Sequence, residues 1–401
     1  MKRFAAFVVC LLLVAPFSHA AAGNASASIW RISGDEVVLR YTFPEPLAAL
    51  LATPGTPSPS VEMIARYVLS RVSVQRQGEA CEALDQGYDL GRIDTLYAGP
   101  GLFSFEVLFR CRGKAGTLVL RNNTFFERSP GLIDIANIRV TGTAAVFRLI
   151  TADDTAVSIQ AGRAPEPSSP GAYVGLGLRH VLTSIVCLFT ASGLLLLLRN
   201  RRELVTVGCG LFAGYLIAAL AAGAGGWMLQ PQPSQVFEGF LVILLGALLT
   251  TRTSTHPNVV AAGLATLVGV VAAAVALLGY GTAALCLVGA GIFGTLSVPL
   301  YGKEDVARWL LLMLGSVVAA VDGFSLASRL APLHSIISIG AAQLLAYNMG
   351  ALLGTLAVFA TVAAARAGLR RFAGLSTTPL YTDLLTASFT GLGIFAMLQT
   401  S

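Results

Sequence analysis

The stretch ARWLLLMLGSVVAAVDGFSLASRL, running from Ala307 to Leu330, decides the fold. It is an apolar run long enough to cross a bilayer, since a spanning helix needs about 20 such residues. Asp322 lies inside it, followed at once by Gly323 and, two residues on, by Ser325. A carboxylate at membrane depth costs about 3 kcal/mol on insertion scales. It therefore marks either a site or an ion pair that locks two helices, for which Arg179 and Arg329 are the candidate cations. The rest of the chain is a search for what meets Asp322.

The composition around this stretch is that of a membrane protein: 55% of the 401 residues are hydrophobic and 12% charged, with a mean hydropathy of +0.73. Soluble domains carry about 25% charged residues. The charge is unevenly placed. Residues 21–170 hold 14 Lys and Arg and 15 Asp and Glu, whereas the residues after them hold 11 and 6. A near-neutral soluble region thus precedes an apolar one. The pI near 9.1 comes from loops of the second region and from Lys2 and Arg3. No basic stripe with interleaved aromatics accompanies it, so nucleic acid is not an expected partner.

Residues 1–20 have the form of a secretory signal peptide: two basic residues, a short apolar core, then Ser18-His19-Ala20. Residues 21–163 read as an exported β-rich domain. Strand composition appears at Asp35 to Phe43, Ala98 to Arg110, Gly116 to Leu120 and Asp134 to Ile150. One helix interrupts them, opened by Ser58 and Pro59 and carrying Val61, Ile64, Ala65, Val68, Leu69 and Val72 on one face. The sum predicts a β-sandwich-like domain of immunoglobulin-like size. It holds two cysteines, Cys81 and Cys111, which in an oxidising compartment predict one disulfide. Residues 164–172 are a Pro- and Ser-rich linker.

Residues 173–401 predict a polytopic helical domain of about eight spans, at 173–198, 205–229, 236–250, 258–279, 281–300, 307–330, 335–365 and 382–399. Gly223, Gly225 and Gly226, Gly289 and Gly291, and Gly350 and Gly354 are the expected places of close helix packing. With the amino-terminal domain outside, Arg199, Arg201, Arg202, Arg252, Lys303, Arg308, Arg366, Arg370 and Arg371 fall in inner loops and Arg329 in an outer one. That is the positive-inside distribution, and it predicts a plasma membrane protein with a periplasmic or extracellular amino-terminal domain.

Few strongly polar side chains lie within the spans: Arg179, His180, Tyr215, Glu238, Asp322 and Asn348. At 1.5 Å per residue, His180 and Asp322 fall about 12 Å below the outer edge, Glu238 about 5 Å and Asn348 about 20 Å, with Tyr215 deeper again. This is a polar funnel opening outward. Its imidazole and carboxylates, His180, Asp322 and Glu238, are candidate ligands for a divalent cation, or relays for protons. Each residue alone has the plainer reading of a hydrogen bond between helices. No Ser–His–Asp order, zinc-enzyme motif or phosphate loop appears, so no enzyme is expected.

The layout of signal peptide, exported domain and helical half resembles the HupE/UreJ family of hydrogenase and urease accessory proteins. Asp322-Gly323-Phe324-Ser325-Leu326-Ala327-Ser328 resembles a family run ending His-Gly-Phe-Gly-Phe-Ala-Ser. Tyr347-Asn348-Met349-Gly350 is similar to its Phe-Asn-Leu-Gly motif, and His180-Val181-Leu182 stands where the family has His-Ile-Leu. Glu238 matches a Val-Glu, and Gly391-Leu392-Gly393 the closing helix. The chain departs from the family at Val186 and Cys187, which replace an Asp-His pair, at Tyr215 and Asp322, which replace histidines, and at Leu352. An extra hairpin separates Glu238 from Arg308. The resemblance implies a permease for a divalent cation of the nickel and cobalt class, with Ni2+ or Co2+ as cargo, or for another small solute. The alternative is a non-transporting scaffold whose exported domain binds an envelope protein.

Overall fold

In the computed structural model the described residues are 25–52, 59–84, 101–113, 116–160 and 163–398, the last without 164, 226–230, 252–253, 255, 278, 280, 302–303, 331–332, 334–339 and 374–378. The expected signal peptide, Arg252 and Lys303 lie outside them. The chain forms two units, one built chiefly on Ser18–Ala172 and one chiefly on Tyr173–Ser328 with Gly340–Ser401.

The first unit is rich in sheet. Strands β1 (Ala25–Ser33) and β2 (Glu36–Pro44) form a hairpin closed by the pair Ser33 and Glu36. Gly34 opens its two-residue turn at φ +59°, a conformation that suits glycine and matches the twist of the strands. β3 (Val72–Arg76), β4 (Glu79–Ala80), β5 (Glu82–Leu84), β6 (Leu102–Arg110), β7 (Leu118–Asn122), β8 (Ile133–Val140), β9 (Val146–Ile150) and β10 (Ala156–Ile159) complete it. The order is β5-β6-β2-β1-β8-β9 in one sheet and β10-β7-β3-β4 in the other. Alternating residues of both sheets, among them Trp30, Leu39, Tyr41, Val74, Phe109, Leu120 and Val157, share one apolar core. Besides the short α1 (Glu45–Ala49), helix α2 (Val61–Arg71) adds Ile64, Ala65 and Val68 to that core. Its cap is Ser60, whose Oγ accepts from the Met63 amide at 3.2 Å, so it starts later than the Ser58 and Pro59 of the sequence reading.

The expected disulfide is present, Cys81 bonded to Cys111. Cys81 lies where the chain passes from β4 in one sheet to β5 in the other, and Cys111 follows β6. The bridge therefore ties the two sheets together. Closing a loop across a separation of 30 residues stabilises the fold by about 3–4 kcal/mol in the chain-entropy model.

Strand β1 lies outside the strands expected from sequence, because its opening Ala-Ser-Ala-Ser lacks the β-branched and aromatic residues that mark a strand. Its serines are buried for a polar reason. The carboxylate of Asp134 on β8 is fully buried and accepts from Ser26 Oγ at 3.0 Å, Ser28 Oγ at 2.7 Å and Asn122 Nδ2 at 3.1 Å. Burial pushes its pKa up to about 6, against the lowering effect of those three bonds.

The second unit is helical: α3 (Pro170–Thr183), α4 (Ile185–Leu197), α5 (Arg201–Gly225), α6 (Pro231–Thr250), α7 (Pro257–Leu277), α8 (Gly281–Leu300), α9 (Glu304–Gly323), α10 (Ser325–Leu330), α11 (Ala341–Ala373) and α12 (Pro379–Leu398). Among the described residues, four helices are long and apolar enough to cross a bilayer, or five if the bent pair α3 and α4 forms one span. Shorter apolar helices cover Val236–Thr250, Ala284–Leu300 and Asp383–Met397. Two expectations change. The span read as continuous over 173–198 is bent by 78° between α3 and α4. Ser184 makes the break with an extended backbone (ψ 116°), and its Oγ accepts from the Cys187 amide as the cap of α4. The last residues of the expected linker, from Pro170 on, already belong to α3.

Close packing follows glycine. A Cβ on Gly177 of α3 would collide with the Tyr347 carbonyl of α11, and one on Gly350 of α11 with the Val174 carbonyl of α3. Gly214 of α5 meets the Ser316 carbonyl of α9 in the same way. Gly289, expected to pack, faces open space instead. These two contacts bring four of the helices that carry the polar residues to within touching distance.

Candidate functional site

Three helix ends meet around Asp322. Asp322 itself sits in the last turn of α9, His180 in the last turn of α3, and Cys187 in the first turn of α4. A carboxylate at a helix carboxyl end opposes the helix dipole, so its stability there depends on what else it meets. The first turn of α4, with its positive end, offsets part of that cost. The break at Ser184 makes this possible, because a straight helix would offer no free amino end at that place.

The donors close on the carboxylate from both sides. His180 Nε2 lies 3.0 Å from Oδ1, and the Cys187 thiol donates to the same oxygen at 3.3 Å. The Tyr215 hydroxyl, from α5, donates to Oδ2 at 2.6 Å. Cys187 Sγ and His180 Nε2 are 3.8 Å apart. The ligand atoms of His180, Cys187 and Asp322 all lie within 4.8 Å of one another, the spacing of a metal site. Asp322 is 8% exposed, so this is a desolvated cluster.

A cavity of about 30 Å³ adjoins it. Its polar lining is Cys187, Thr190, Tyr215, Glu238, Asp322 and Thr355, and the rest is aliphatic. A water needs at least about 10–15 Å³, so the space is large enough for water-sized ligands. Glu238, from α6, enters through this wall and lies outside the three-donor cluster. Behind the carboxylate, Asn348 of α11 donates from Nδ2 to the Tyr215 carbonyl at 2.9 Å. Its Oδ1 is buried and has no hydrogen-bond partner among the described residues. Tyr347 sets its ring 6.0 Å from that of His180, with its hydroxyl 2.8 Å from Ser325 Oγ. Gly323 leaves room for this arrangement: a Cβ there would come within 3.1 Å of both Asn348 Nδ2 and the Tyr215 ring.

His180, Tyr215, Glu238, Asp322 and Asn348 are thus gathered in one neighbourhood. Two expected placements differ. Tyr215, read from sequence as the deepest group, reaches Asp322 with its hydroxyl and is bonded to it. Arg179, read as a possible partner of that carboxylate, is exposed, since it follows His180's neighbour positions around α3 onto another face. Cys187, in sequence a departure from the family pattern, belongs to the donor set. The bend at Ser184, which turns Cys187 toward Asp322, has no signal in the sequence. Thr355, 3.3 Å from the Tyr215 hydroxyl, has none either. No family model matches the chain, and no curated protein matches it.

Proposed function

We propose that the chain is a plasma-membrane permease for a divalent metal cation, similar to the HupE/UreJ proteins and divergent in its donor set. One observation carries this reading: a buried carboxylate joined to an imidazole and a thiol at the ends of broken helices, beside a small cavity that a second carboxylate enters. Broken helices are the way membrane proteins bring helix ends and side-chain donors to a solute at membrane depth. A purely structural bond between helices needs neither the cavity nor the second carboxylate.

In this reading residues 1–20 direct export, the sheet-rich unit is periplasmic or extracellular, and eight spans follow, the shorter apolar helices crossing with the longer ones. The nine basic residues at inner loops support that orientation. The helical unit exposes large apolar side chains such as Val205, Ile217, Leu285, Leu296 and Trp309, as a lipid-facing surface does. His180, Cys187 and Asp322 hold the ion. Glu238 receives it from the cavity, and Tyr215 and Asn348 fix the carboxylate. The lipid bilayer is the one other partner the reading requires.

The test is uptake by vesicles containing the full chain, across a panel of divalent metals, with Asp322→Asn as the control. Accumulation of at least one metal, lost in the variant while folded protein stays in the membrane, is the expected result. Equal accumulation by both, or none by either, overturns the permease and leaves the scaffold that presents an exported domain to an envelope protein.

A further inference from the structure

We infer that Cys187 is the selectivity-determining donor of this site, making it a site for thiophilic d-block cations of the Zn2+ and Cd2+ class ahead of Ni2+, Co2+ or Mg2+. The inference names the cargo of the proposed permease and in that sense rests on it. The first argument is the chemistry of the donors. One imidazole nitrogen, one thiol sulfur and one carboxylate oxygen converge. Thiolate selects zinc and softer ions, whereas imidazole by itself also suits nickel and carboxylate suits Mg2+ and Mn2+.

The second argument is shape. Zinc bonds of about 2.0–2.1 Å to nitrogen, 2.0–2.2 Å to oxygen and 2.3 Å to sulfur, set at the tetrahedral angle, place such donors about 3.4–3.6 Å apart. The three edges here are 3.0, 3.3 and 3.8 Å. All three lie within about 0.4 Å of those values, so small shifts let the donors share one ion. On binding, the S–H bond of Cys187 gives way to an S–metal bond, and its proton leaves to water.

The experiment uses the purified full chain with the exposed Cys209 and Cys286 changed to serine, so that Cys187 is the one free thiol left among the described residues. Cd2+ is the probe, followed by its thiolate-to-metal charge-transfer band in the ultraviolet, with Zn2+ and Ni2+ as competitors. A band that Zn2+ abolishes and equimolar Ni2+ leaves largely intact is expected. Cys187→Ser keeps a hydroxyl for Asp322. It should erase the band and lower Cd2+ affinity by more than about tenfold, since loss of even an outer partner of a metal ligand costs 10–100-fold. Its Ni2+ affinity should move less. Independently of any variant, Cd2+ and Zn2+ should protect Cys187 from alkylation where Mg2+ does not. A band insensitive to Cys187→Ser, displacement of Cd2+ by equimolar Ni2+, or alkylation unaffected by Cd2+ overturns the inference. Vesicle uptake separates the two readings. The band without uptake of any metal sustains this site and overturns the permease. Nickel uptake indifferent to Cys187→Ser sustains the permease and overturns this inference.

Discussion

Asp134 in the sheet-rich unit and Asp322 in the helical unit are both buried carboxylates, 0% and 8% exposed. Both accept three hydrogen bonds from side chains far away in sequence. The company differs. Asp134 is met by two serines and an asparagine, neutral donors that take no part in metal or proton chemistry, on strands that also build the core. Asp322 is met by histidine, cysteine and tyrosine, at helix ends, beside a cavity. Burial of a carboxylate is therefore not what marks a site. The mark is the chemistry of its partners together with a space that a ligand can enter.

The comparison is broken most directly at Asp134. Replacing it by alanine strands three buried donors, each worth about 1–3 kcal/mol when left unsatisfied. Asp134→Ala should destabilise the sheet-rich unit by about 3–5 kcal/mol, measured by hydrogen exchange across β1 and β8 in the full chain. A loss under about 1 kcal/mol would remove the structural role assigned to this network.

Next in size is the disulfide. Changing Cys81 and Cys111 together to serine should lower the stability of the same unit by about 3–4 kcal/mol, with no effect on metal binding in the helical unit. Limited proteolysis for the first and the Cd2+ band for the second give both readings. A weakened band would show that the two units do not act separately.

The titration of Asp134 sharpens the contrast further. Its pKa in the folded chain, about 6, lies above the value of 3.8 expected for an unfolded chain. Between those values the folded state holds a proton that the unfolded state has released. The stabilisation is thus complete below about pH 4 and lost as pH rises through 6. The change amounts to about 3 kcal/mol over that window. Denaturant unfolding at pH 4 and 7 measures it, and Asp134→Asn should flatten the profile. A slope of the opposite sign would mean that the three hydrogen bonds outweigh burial.

The smallest expected effect on stability is at Asp322. Asparagine keeps an acceptor for the Tyr215 hydroxyl and relieves the cost of about 3 kcal/mol for placing a charge at membrane depth. The amount of Asp322→Asn protein in the membrane should therefore equal or exceed that of the unaltered chain, by quantitative blotting. A marked fall would place Asp322 beside Asp134 as a structural carboxylate.

Much of this was legible in the chain itself, for a physical reason. Hydropathy and charge content are local properties, so the division into a sheet-rich unit and an apolar helical one follows from composition along the chain. The pairing of Cys81 with Cys111 needed only the count of cysteines in the first unit. Asp322 stood out because a carboxylate inside an apolar run has an insertion cost that must be met somewhere.

Contacts between distant residues were decided by packing. The bend at Ser184 has no proline to announce it, and it turns Cys187 toward a carboxylate 135 residues away. Tyr215 reaches Asp322 because Gly214 lets α5 press against the backbone of α9, a closeness that counting residues from a membrane edge does not reveal. In the first unit, nothing local to Ser26 and Ser28 announces their role, which arises because β8 lays Asp134 beside them in parallel register. The sequence by itself determined which residues are costly to bury. The tertiary structure decided which of those costs are met by inert donors and which by ligands, because that depends on how backbones approach, and the approach is set by glycines and helix breaks acting across the fold.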